Sequence, residues 1–158
     1  MTKKIFKSML FVSMIVLFAG SGLIMGILYH YFGKQLAKEL KTEAAYLAIA
    51  VEKEGMEAFD RLPPQTERVT YIDEDGTVLF DSVADEDNMD NHENRSEIQK
   101  ALKTGSGTAV RRSDTLSEKT LYYAMKMADG KILRVSSVQY NIPGILGGMV
   151  QPILIILI

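Results

Sequence analysis

Cysteine is absent from all 158 residues, so no disulfide staples the fold and no thiol can act as nucleophile or metal ligand. Histidine occurs only at His30 and His92, and a lone histidine without a second one nearby makes a poor zinc site. Glycine-rich phosphate loops and paired nucleophile–base motifs are also missing. The chain therefore offers no catalytic residue, no metal set and no cofactor of its own. Acidic residues are absent from both ends, since none precedes Glu39 and none follows Asp129.

Most of the charge lies in the middle. Residues 33–141 carry all 20 acids and 15 bases, a net of −5. Such a segment lacks the basic face that nucleic acid requires. Lys3, Lys4 and Lys7 precede an apolar stretch, 9–32, that is free of Asp, Glu, Lys and Arg. Its 24 residues exceed the roughly 20 needed to cross a bilayer core as a helix. A cleaved signal peptide would share the basic start, but the apolar run continues past the small residues "AGS" (19–21) through "GLIMGILYHYF" (22–32). Tyr29, His30 and Tyr31 suit the outer interface. The lysines place residues 1–8 in the cytoplasm and 33–141 outside the membrane.

Residues 142–158 form a second apolar run with no basic residue after it. At 17 residues it is at the short limit for a span, and the sequence reads as part of a longer protein that continues into the cytoplasm. "GLIMG" (22–26) and "GILGG" (144–148) have the small-residue spacing that lets membrane helices approach closely.

Within the middle segment, Leu36, Leu40, Ala44, Leu47 and Val51 recur at three and four, predicting a helix that continues out of the first span to about Gly55. That stripe fits packing on its own domain and packing on a second copy equally well. "RLPPQ" (61–65) breaks the helix. "RVTYIDEDGTVLFDS" (68–82) reads as a hairpin about Asp75–Gly76. A helix over 94–105 follows, with Ser96 as N-cap and Gly105 as its end. Strands are expected at 107–114, 119–128 and 131–138, the last two joined by a two-residue turn at Asp129–Gly130. The fold class is thus α+β, a long N-terminal helix with a five-stranded antiparallel sheet, flanked by two transmembrane helices. The acidic stretch 81–95 lacks the glycine and closing glutamate of a calcium loop and reads as a solvated loop.

The two-residue turn would pair Met125 with Arg134 and set Leu121, Tyr123, Met125, Met127, Ile132, Arg134 and Val138 on one face. An arginine on an apolar face needs an acceptor. Asp81 or Glu97 could serve internally, or the side chain could snorkel to the sheet edge. Alternatively Arg134, with Arg112 and Tyr123, would receive a small anionic ligand.

The stretch from Asp75 to Ser136 resembles the extracytoplasmic sensor segment of PhoR-type and related bacterial sensor histidine kinases. The resemblance lies in Asp75–Gly76, Asp81–Ser82, Met89, Asn91–His92, Arg95, Glu97, Ala101–Leu102, Gly105, Gly107, Arg112–Ser113, Thr115–Leu116, Tyr122–Tyr123–Ala124 and Asp129–Gly130. Ser96 departs from it, standing where the family often has proline. The resemblance implies a PAS-like, single-Cache domain in a homodimer, with phosphate sensing as a theme. It also implies a cytoplasmic part bearing the phosphorylated histidine, an ATP- and magnesium-binding kinase domain and a cognate response regulator. The same sensor could serve a chemoreceptor or a cyclic-dinucleotide enzyme, and a two-span structural protein is the reading from another class. His92 lies outside the membrane in this topology and is not the phosphorylated residue.

The topology is open to a direct check. A cysteine introduced at Ser82 should react with an impermeant reagent on intact cells, and one at Ser8 should not; the reverse pattern would invert the orientation.

Overall fold

In a computed structural model, the protein is described over residues 2–62, 67–112 and 119–138. The second apolar run (142–158), Pro63–Pro64 and the end of the strand expected to reach residue 114 lie outside these residues. The described residues divide between two units, the first holding residues 2–34 and the second beginning at residue 35.

One helix, α1 (Thr2–Glu54), runs unbroken through the apolar segment and into the second unit. It is long and apolar enough to cross a membrane, and its most apolar stretch is wholly unburied. Beyond it come a short helix α2 (Glu57–Asp60), strands β1 (Arg68–Ile72) and β2 (Val78–Asp81), and helix α3 (Ser96–Thr104). Strands β3 (Ser106–Arg112), β4 (Lys119–Lys126) and β5 (Ile132–Val138) complete the chain. The five strands form one antiparallel sheet in the order β2-β1-β5-β4-β3. The expected α+β class and strand number therefore hold.

The sheet has two different faces, and each is covered. Leu36, Leu40 and Ala44 of α1 pack on Leu121, Tyr123 and Val135. One turn further, Ala48 and Val51 join Phe59, Val69, Tyr71 and Leu133. The three-and-four spacing thus buries one stripe of α1 on the sheet, while Tyr46 and Ile49 stay exposed. On the opposite face, Ile98 and Ala101 of α3 pack on Ile72, Val78, Ala124 and Ile132. Gly107 is where α3 and β3 come closest: a Cβ there would lie 2.2 Å from the Glu97 carbonyl oxygen.

Three sequence expectations are corrected. Ser96 is the first helical residue, not the cap; Arg95 occupies the cap position and provides no side-chain capping bond. The fold also contains α2 and a 3₁₀ turn at Glu86–Asn88, neither of which has a strong sequence signal. The third correction is the register of the last hairpin. Gly130 N–H bonds the Met127 carbonyl, Met127 N–H bonds the Lys131 carbonyl, and Gly130 has φ +91°. That is a three-residue loop ending in a glycine bulge, not a two-residue turn. Asp73–Thr77 repeats the pattern, with Gly76 at φ +87°. As a result Arg134 pairs with Ala124 and Met125 with Leu133. The one-residue slip moves Arg134 to the α3 face, while Leu121, Tyr123 and Met125 stay on the α1 face.

A buried ion cluster beneath α3 as candidate functional site

The α3 face of the sheet concentrates the buried polar side chains. Thr70 on β1, Asp81 on β2, Glu97 on α3, and Arg134 and Ser136 on β5 are all buried, and so is His92 from the loop before α3. Strand alternation explains the gathering. Arg68 and Thr70, Tyr122, Arg134 and Ser136, and Arg111 project from neighbouring strands on the same side of the pleat.

Glu97 lies in the first turn of α3 and is 0% exposed. Its Oε1 accepts a short hydrogen bond from Arg111 Nη2 and lies 3.6 Å from Arg134 Nη1. Arg134 Nη2 also donates to Thr70 Oγ1 at 2.9 Å, and the Thr70 hydroxyl donates to Asp81 Oδ2 at 2.8 Å. Asp81 further accepts from Arg68 Nε and from the backbone N–H groups of Val83 and Ala84. Burial alone would raise its pKa, but the hydrogen bonds, led by Arg68, hold the carboxyl below its ordinary value. The Tyr122 ring lies under both guanidinium groups, 3.9 Å from that of Arg111 and 5.4 Å from that of Arg134. Burial brings the Arg134 guanidinium down to about 10, with Glu97 acting to raise it and Arg111 and Arg68 to lower it. It stays protonated at neutral pH.

The loop leading into α3 is latched to the first hairpin turn. Asn91 Nδ2 donates to the Asp75 carbonyl at 2.8 Å, and His92 N–H donates to the Gly76 carbonyl at 2.8 Å. The packing is tight: a Cβ on Gly76 would lie 2.3 Å from Glu93 N and 2.4 Å from Asn91 Oδ1. The His92 carbonyl in turn accepts from Arg95 N–H, at the start of α3. These bonds connect Gly76, Asn91, His92 and Arg95, four of the positions that carry the sequence resemblance.

The three residues expected to form one ligand set are not brought together. Arg134 is on the α3 face, whereas Tyr123 packs on α1 and Arg112 belongs to the Tyr123 side of β3. Arg134 instead meets Glu97, one of its two internal candidates, directly, and reaches the other, Asp81, through Thr70. Sequence reasoning missed Arg111, Arg68, Thr70 and Tyr122. The alternation Gly107, Ala109, Arg111 was the available signal, but adjacent arginines at 111 and 112 cannot be told apart without the register. Among the described residues, no group of three or more His, Asp and Glu side chains could hold a metal ion.

No family model matches the chain, and no curated protein matches it. Among solved structures, it is similar to the extracellular domain of rpHK1S-Z16, a protein assigned as a histidine kinase, with 13% identity and a TM-score of 0.38. The match covers 51% of this chain and 34% of the other, so this chain spans about a third of that neighbour's length.

His92 makes the cluster sensitive to acid. Burial first, then the charges of Arg134, Arg95, Arg111 and Arg68, lower its pKa from 6.5 to about 4. The unfolded chain therefore binds a proton between those values that the folded chain refuses. The stability due to neutral His92 is complete above pH 6.5 and is lost as pH falls towards 4. Allowing for solvent screening, its size is on the order of 2 kcal/mol. Glu43, whose carboxyl is raised mainly by burial, contributes with the opposite sign. Comparison with His92→Gln cancels that contribution. Between pH 6.5 and 4.5 the melting temperature of the natural chain should fall several degrees more than that of His92→Gln. Parallel profiles would remove His92 from the account.

Proposed function

We propose that this chain is the extracytoplasmic sensing and transmembrane-signalling portion of a two-component sensor histidine kinase. In this reading residues 33–141 form a PAS-like, Cache-type domain that works as a homodimer. Residues 9–32 and 142–158 cross the membrane, making the protein multi-pass. ATP, magnesium, the phosphorylated histidine and the response regulator belong to a cytoplasmic part after residue 158.

The observation that carries the reading is the continuity of α1. The helix that contains the apolar stretch 9–32 also supplies Leu36, Leu40, Ala44, Ala48 and Val51 to the core of the outer domain. A shift or rotation of the sheet would thereby be applied to a helix that continues towards the membrane. The resemblance to PhoR-type sensors supports the choice of a kinase as the output. Its positions around Gly76 and His92 form the latch that closes the α3 side of the sheet.

Helical phase provides the test. Residues 1–158 are joined to the cytoplasmic half of a membrane histidine kinase, and alanines are inserted after Gly33. Two residues rotate one part of α1 against the other by about 200°, whereas seven restore the phase to within about 20°. Autophosphorylation should change by about fivefold or more with two and return with seven. Output indifferent to the insertions would contradict the proposal.

A further inference from the structure

The cluster under α3 holds more positive charge than its own carboxylates answer. Arg68, Arg111 and Arg134 meet here, against Asp81 and Glu97. Asp81 is taken up by Arg68, Thr70 and two backbone N–H groups. Glu97 presents a single oxygen, Oε1, to both Arg111 and Arg134. One carboxylate is thus shared by two guanidinium groups.

Neither guanidinium is fully satisfied. Among the described residues, the Nε–H groups of Arg111 and Arg134 are buried without a partner, and so is Glu97 Oε2, the carboxylate oxygen turned away from both. A charged donor left unpaired out of water is costly, and buried polar groups are normally bonded. The Nε edge of arginine, with its adjacent Nη, is the fork that accepts two oxygens of a carboxylate or phosphate. Both arginines sit over the Tyr122 ring, which fixes the two groups near each other. Arg134 is sealed at 3% exposed, but the Arg111 side chain is 30% exposed and gives the pair access to solvent.

We propose that Arg111 and Arg134 form a receptor for a small oxyanion, a carboxylate or a phosphate, which enters beside Arg111 and docks on their free Nε edges. Glu97 and Tyr122 hold the two forks in position. The proposal rests on the sensor reading and gives it a signal. The ligand would act where α3, the His92 loop and three strands meet.

The full chain in detergent micelles is melted with acetate, succinate or inorganic phosphate, each at up to about ten millimolar, with chloride at matched ionic strength as control. At least one oxyanion should raise the melting temperature by several degrees, and the rise should saturate. Arg111→Gln should weaken the apparent affinity at least tenfold, and Arg112→Gln, on the other face, should leave it unchanged. If Arg111→Gln does not fold, Arg111→Lys keeps the charge, removes the Nε fork and serves the same comparison. A response to acetate or succinate alone identifies a carboxylate, and one to phosphate alone a phosphate. The proposal is overturned if no oxyanion exceeds chloride, or if the variants at 111 and 112 respond alike. Either failure leaves the helical-phase experiment unaffected.

Discussion

Glu97 is the constraint on which the sheet-bearing unit is built. It is a fully buried carboxylate in the first turn of α3, held by arginines from the edge strand β3 and the central strand β5. Removing charge from water is expensive, and the pairing offsets the cost only while the geometry holds. The ion cluster therefore fixes where α3 sits on the sheet more strictly than the apolar contacts of Ile98 and Ala101 could. Hydrophobic burial is non-directional, but a carboxylate shared by two guanidinium groups tolerates little displacement. Gly107 is part of the same constraint, because its missing side chain lets β3 approach the Glu97 backbone.

From that point the structure extends in two directions. Through Thr70, Asp81 and Arg68 the network continues to β1 and β2. Through Arg95, His92 and Gly76 it ties the acidic loop to the first hairpin turn. On the far side, the same strands carry the apolar contacts to α1. A change in charge at the cluster would thus be felt at a helix continuous with the apolar stretch 9–32.

Much of this was legible in the sequence. The three-and-four stripe of α1, the two Asp–Gly turns and the five strands follow from periodicity and turn chemistry. Arg134 was recognisable as an arginine that would need an acceptor, and Glu97 and Asp81 were its stated candidates. The face it occupies was not legible. Asp–Gly also fits a three-residue loop in which the aspartate accepts from the backbone two residues on, as Asp75 does from Thr77 and Asp129 from Lys131. That single residue of register separates Arg134 from Tyr123 and brings it to Tyr122 and Arg111 instead. The Asn91–His92 positions were visible as a motif, but their role depends on a turn 16 residues earlier, a contact that local patterning does not encode.

The central claim is that the Glu97–Arg134 pair holds α3 to the sheet, and a double-mutant cycle addresses it most directly. Unfolding of the full chain in detergent would be followed for Glu97→Gln, Arg134→Met and the double variant. Glu97→Gln leaves Arg134 buried without its carboxylate, and Arg134→Met leaves Glu97 with Arg111 alone, so the double variant should lose less stability than the two singles summed, by about 2 kcal/mol or more. Additivity within about 0.5 kcal/mol would mean that the two residues are not coupled, and would contradict the account.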